Sequence, residues 1–171
     1  IGLGLPEAEL REGLESFTGT QRRFELRGRV GTVRVYDDYA HHPTEVTATL
    51  RAAREVAGPG RVVVAFQSHR YSRTAVFARE FGEALGAADE IVVLEVYSAG
   101  EAAIPGASGS VIAASIPRPR QNVVFEPSMS HVPDVVVARV QPGDVVMTMG
   151  AGDVNLLVPR ILELLATRFG E

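Results

Sequence analysis

The chain has 171 residues, 46% of them hydrophobic and 22% charged, with a formal net charge of −4; this suits one domain with an appendage and a sizeable core, and excludes a disordered tail. The negative balance argues against general nucleic-acid or membrane-surface binding, and no apolar run approaches the ~18 residues of a membrane span. Cysteine and lysine are both absent, all 17 positive side chains being Arg, which excludes disulfides, thiol nucleophiles, Cys-ligated zinc, Schiff-base chemistry and a self-sufficient P-loop, whose Lys must hold the phosphates.

In chain order, Leu5, Leu10, Leu14 and Phe17 predict a short helix over 7–17, with acidic Glu7, Glu9 and Glu12 that do not suit a signal peptide. Alternation on both sides of Gly28–Gly31 predicts a hairpin over 23–36. Pro43 opens a helix to Ala57, which Gly58-Pro59-Gly60 stops. Apolar runs at 61–66 and 89–94 read as buried strands and those at 122–125 and 144–149 as a third and a fourth strand, separated by helices over 74–85, 109–115 and 130–140 and followed by a closing helix over 154–169. Strands alternating with helices specify βαβ units. The predicted fold is α/β, a Rossmann-like sandwich with a mainly parallel sheet, helices on both faces and a small hairpin at the N-terminal edge. The missing initiator Met suggests a processed chain or a fragment.

In such sheets ligands sit beyond the carboxyl ends of the strands. Asp37-Asp38-Tyr39-Ala40-His41-His42, Gln67-Ser68-His69-Arg70-Tyr71-Ser72-Arg73, Glu95-Val96-Tyr97 and Gly150-Ala151-Gly152-Asp153 fall at those ends. The first stretch offers groups for a ribose hydroxyl or a metal-linked water, and equally suits a polar turn with a capping Asp. Arg70 and Arg73 stand three apart at a helix start, where their charge opposes the helix dipole; they suit a carboxylate or phosphate, or ion pairs to Glu80 or Glu83. Gly150-Ala151-Gly152 is either a phosphate cradle or a close turn, Arg22-Arg23 read as solvated, and His131 as a cap or surface residue. No nucleophile–base pair is visible, so the residues alone predict an anion-binding α/β domain.

Tyr36-Asp37-Asp38-Tyr39-Ala40-His41-His42-Pro43-Thr44-Glu45 resembles the Mur ligases of peptidoglycan synthesis. Phe17-Thr18-Gly19-Thr20-Gln21-Arg22-Arg23-Phe24-Glu25, Phe66-Gln67-Ser68-His69-Arg70-Tyr71-Ser72-Arg73-Thr74, Leu94–Glu101, Ile104-Pro105-Gly106 and Gly150–Asp153 occur in the family's order. The family has a UDP-sugar domain, a central ATPase domain with a P-loop, and a Rossmann-like C-terminal domain. The resemblance implies that 1–18 is a tail of the central domain, 19–24 a hinge and 25–171 the C-terminal domain. It implies a cytoplasmic ATP-dependent, magnesium-requiring ligase. By the same resemblance, ATP would phosphorylate the carboxylate of UDP-N-acetylmuramate, the amine of L-alanine would attack the acyl phosphate, and phosphate would leave. The magnesium ligands would lie mainly in the central domain, with none assigned here. Position by position, Arg23, Asp38, Tyr39 and His41 would serve the nucleotide, and His69, Arg70, Arg73 and Tyr97 the amino acid. A member that accepts a peptide, or a free-standing anion- or nucleotide-binding module, are the alternatives. The chain alone is expected to be inactive. One departure is Ser68, where the family usually has Pro, which bears on the stiffness of that loop.

Overall fold

Continuous apolar runs need cover on both faces, and the computed structural model, which describes residues 21–170, supplies it. β1 (Glu25–Val30) and β2 (Val33–Asp38) form a hairpin. There follow α1 (Pro43–Ala57), β3 (Val62–Phe66), α2 (Tyr71–Leu85), β4 (Glu90–Val93), α3 (Gly109–Ser115), β5 (Val123–Phe125), α4 (Val132–Arg139), β6 (Val145–Met149) and α5 (Val158–Phe169). The sheet order is β1-β2-β6-β3-β4-β5, antiparallel only between β1 and β2. This is the α/β sandwich that the sequence predicts. The helix expected over 7–17, and the tail assigned to 1–18, lie outside the described residues.

The period of two along each strand divides the core. Val62, Val64 and Phe66 of β3 join Met147 and Met149 of β6 under α1, α2 and α3. Val63, Ala65 and Val146 face Val132 and Val136 of α4 and Ile161 and Leu165 of α5. All five residues of β3 and of β6 are buried.

Several boundaries differ from the expectation for physical reasons. Gly28 is not in the turn, which is made at Gly31 with φ 53°. It lies in β1 beside a bulge, where a Cβ would stand 2.9 Å from the methyl groups of Leu162. α2 starts at Tyr71 rather than Thr74, without any side-chain cap, and breaks helical geometry at Phe77 (φ −116°, ψ 15°). The closing helix begins as a 3-10 turn over Val154–Leu157 and becomes α-helical at Val158, with Pro159 in its first turn, where no N–H is needed. α1 is capped by His42: its ring accepts from the amide of Thr44, and Glu45 accepts in return from the amide of His42.

Candidate functional site

Strand register gathers the chemistry. Asp38 of β2 and Phe66 of β3 both pair with Met149 of β6, and Phe66 also pairs with Val93 of β4. The segments leaving those four strands therefore emerge at one level. A bridge between His69 and Tyr97 joins the segments that follow β3 and β4. Tyr39, His41, His69, Arg70, Arg73 and Ala151 share a cavity of about 510 Å³, with Ser72, Val76 and Phe77 completing its wall. A larger groove of about 920 Å³ runs between α1 and α2, but Arg51, Glu55, Glu80 and Glu83 are its charged lining and none of the expected site residues reaches it.

On the amino-acid side, Arg70 takes a positive φ of 76°. Its amide donates to the carbonyl of Tyr97 (2.8 Å), and its own carbonyl accepts from the amide (3.1 Å) and hydroxyl (2.9 Å) of Thr74. The Arg70 side chain is half exposed, 3.5 Å from Glu101 rather than paired with Glu80 or Glu83. Arg73 donates to the carbonyl of His69 (3.3 Å). Ser68, buried where the family usually has Pro, lies 2.6 Å from the Thr74 hydroxyl, and its carbonyl accepts from the amide of Tyr97 (2.9 Å). These bonds tie Ser68 to α2 and to the loop after β4.

His69 stacks on Tyr97 and its Nδ1 is buried without a partner. Burial first, then the charges of Arg73, Arg70 and His41, hold its pKa below the ordinary histidine value, with Glu101 opposing. The imidazole is therefore neutral near pH 7, beside two guanidinium groups that keep their charge for a ligand.

On the other side, His41 places Nδ1 3.1 Å from both the carbonyl of Tyr39 and the carboxylate of Glu45. Both neighbours are acceptors, so Nδ1 carries a proton. Burial resists ionisation of Glu45, but the amide and ring of His41, the amide of His42 and the charge of Arg23 outweigh it, and its pKa is lowered. Arg23 is 50% exposed, 3.9 Å from Glu45 and 5.7 Å from the Tyr39 ring centre. Asp38 is 4% exposed and already bonded: to the amides of Phe24 and Ala40 (2.7 Å each) and to the Thr49 hydroxyl (3.3 Å). The polar turn is therefore real, although α1 is capped by His42 and not by an Asp, and Oδ2 keeps one acceptor position.

Arg22 departs from the solvated reading. Its Nε lies 2.8 Å from the fully buried carboxylate of Asp37, and its Nη groups donate to the carbonyls of Gly150 (2.6 Å) and Gly152 (3.2 Å). One signal was available: two adjacent acids ending a buried strand need partners, and in this chain only Arg or His can supply the charge. Gly150, at φ 146°, makes a close turn in which a Cβ would meet the carbonyl of Gln67 at 2.4 Å. His131 is exposed, 4.0 Å from Glu126, a surface residue as expected.

Among the described residues no three His, Asp or Glu side chains are placed to hold a metal, and no helix is long and apolar enough to cross a membrane. Arg70, Arg73 and His69 can bind a carboxylate or phosphate; they do not activate one. The α/β sheet, with guanidinium and imidazole groups brought together at its strand ends, is of the Rossmann-like class. The chain belongs to the Mur ligase family: residues 22–152 match the domain described as "Mur ligase, glutamate ligase domain".

Three comparisons make the relation specific. The UDP-N-acetylmuramate–L-alanine ligase of Acidothermus cellulolyticus is 58% identical over 170 residues, covering 99% of this chain and 36% of that protein. The crystal structure of the UDP-N-acetylmuramate–alanine ligase of Thermotoga maritima matches with a TM-score of 0.76 at 32% identity, covering 97% of this chain and 35% of that one. A murein peptide ligase from Psychrobacter arcticus matches with a TM-score of 0.66 at 25% identity, covering 90% of this chain and 32% of that one. The chain thus spans about a third of these relatives, as the C-terminal domain of this ligase type. The family and the fold expected from the sequence both stand, and a free-standing module is not favoured.

Proposed function

We propose that this chain is the amino-acid- and nucleotide-binding domain of an ATP-dependent ligase that joins L-alanine to UDP-N-acetylmuramate in peptidoglycan and cell-wall synthesis in the cytoplasm. The observation that carries the reading is the single cavity into which His69, Arg70 and Arg73 converge opposite Tyr39 and His41. The forks of Arg70 and Arg73 take the alanine carboxylate, each charge-assisted bond contributing about 1.5–3 kcal/mol. Neutral His69, supported by Tyr97, accepts a hydrogen bond from the amino group. Tyr39 and His41 divide this pocket from the nucleotide, Arg23 reaches the phosphates of ATP, and Oδ2 of Asp38 accepts from a ribose hydroxyl while the same carboxylate holds Phe24.

The chemistry is acyl-phosphate formation on the muramate carboxylate, attack by the alanine amine and departure of phosphate. This chain's share is to bind and orient; with no lysine it has no P-loop to position a transferring phosphoryl group. Magnesium would take its ligands mainly from upstream domains of the same polypeptide, which would also bind the UDP-sugar. The 171-residue chain alone is accordingly inactive. A peptide acceptor is the weaker reading, because among the solved structures the peptide ligase is 25% identical with a TM-score of 0.66 against 32% and 0.76 for the alanine ligase. An acceptor panel with the full-length enzyme, following ADP release, tests the proposal. L-alanine should support turnover in the presence of UDP-N-acetylmuramate; turnover with a tripeptide and not with alanine would overturn it.

A further inference from the structure

We infer that Arg22 is a positioning residue, locking Arg22–Phe24 to the sheet edge so that Arg23 is presented in one orientation. The inference rests on the reading of Arg23 as a nucleotide-contacting group. Arg22 and Phe24, the two neighbours of Arg23, both have positive φ, 56° and 46°. Such values are disfavoured for residues with a Cβ and persist only where the surroundings fix them. Here they are fixed on both sides.

The Arg22 amide donates to Glu25 (2.7 Å), its carbonyl accepts from the amide of Tyr39 (2.7 Å), and its guanidinium bonds Asp37, Gly150 and Gly152. The other oxygen of Asp37 accepts from the hydroxyl of Thr148 in β6 (2.6 Å). On the far side of Arg23, the amide of Phe24 donates to Asp38 (2.7 Å) and its ring packs 4.7 Å from that of Tyr36. Two adjacent buried carboxylates thus clamp the residues on either side of Arg23, whose own contacts are loose.

Only a planar fork can reach a carboxylate and two carbonyls together, so Arg22 is not interchangeable with Lys. Opening the clamp would leave the buried Asp37 charge unpaired, which is strongly unfavourable. Arg22–Phe24 therefore moves with this domain as one body. Arg23 is therefore held in a fixed place relative to the alanine pocket.

The test uses the full-length ligase with Arg22→Gln, Arg23→Ala, the double variant and Arg22→Lys. Arg22→Gln should raise the KM for ATP about tenfold and leave that for alanine within about twofold. The double variant should be little worse than Arg23→Ala, because both changes remove one effect. A destabilisation that merely loosened the fold would not separate the two KM values. An ATP KM that stays at the wild-type value in Arg22→Gln while Arg23→Ala raises it, or effects that multiply in the double variant, would overturn the inference. Should Arg23→Ala leave ATP untouched, the nucleotide reading of Arg23 fails. The lock is then decided by amide hydrogen exchange on the 171-residue chain. Protection at Phe24 and Tyr39 should fall at least about tenfold in Arg22→Gln, and unchanged protection refutes it. Arg22→Lys keeps the charge beside Asp37, and with it the fold, and should show the same loss of protection if the glutamine variant does not fold.

Discussion

The imidazole of His69 lies against the phenol ring of Tyr97, with ring centres 5.4 Å apart and planes 16° from parallel. Backbone bonds from Tyr97 to Ser68 and from Arg70 to Tyr97 make the loops after β3 and β4 one unit. Tyr97 thereby keeps water from one face of a ring whose pKa is lowered first by burial. Tyr97→Ala should move the His69 pKa up toward the ordinary value of about 6.5, and Arg73→Gln should do the same by removing a charge. Titration of the ring protons by NMR checks both; a His69 pKa unmoved by either change would contradict this account of its neutrality.

The same depression fixes how stability varies with pH. Between the lowered native pKa of His69 and the ordinary value near 6.5, the unfolded chain binds more protons than the native one. Stability contributed by His69 is therefore fully present above about pH 6.5 and is lost as pH falls through the native value. Glu45, also lowered, adds a second loss in the carboxylate range. Thermal melts should be flat above neutrality and fall first in the histidine range, and His69→Gln should remove that first fall. An identical first fall in the variant would assign it to another group.

Ser68→Ala removes the hydroxyl bonded to Thr74 while leaving Thr74 its bond to the Arg70 carbonyl. The expected loss is about 1 kcal/mol of stability in denaturant unfolding, the usual worth of one buried hydrogen bond. With the loop loosened, the alanine KM of the full-length enzyme should rise by about two- to fivefold. No change in either quantity would show that the loop is stiff without Ser68.

Asp38→Asn turns an acceptor into an amide whose NH2 must face the N–H of Phe24 or of Ala40. Leaving a buried donor unsatisfied costs about 1–3 kcal/mol, so the chain should unfold at measurably lower urea than the wild type. Asp38→Asn at wild-type stability would mean that these bonds are not what holds the turn.

What could be read from the sequence divides along physical lines. The strand-end segments were legible because unbroken apolar runs such as Val62–Phe66 mark parallel strands, and everything polar after them must emerge at one edge. The place of His69, Arg70 and Arg73 at that edge came from this rule, and their role toward an amino acid from the resemblance to the Mur ligases. Arg22 did not, because its partners Asp37, Gly150 and Gly152 lie far along the chain and adjacent arginines in a polar stretch are ordinarily solvated. The start of α2 was misplaced because Arg70, a residue with a Cβ at φ 76°, leaves no capping signal. Gly28 looked like a turn because only the packing of Leu162 reveals why a side chain is excluded there.

The central claim is that the Arg pair holds the carboxylate of the incoming amino acid. The most direct test is steady-state kinetics of the full-length ligase carrying Arg70→Ala or Arg73→Ala, with alanine and ATP varied separately. Loss of one charge-assisted bond of about 1.5–3 kcal/mol predicts a rise in the alanine KM of about tenfold or more, with the ATP KM nearly unchanged. Alanine KM values at the wild-type level in both variants, or a rise confined to ATP, would contradict it.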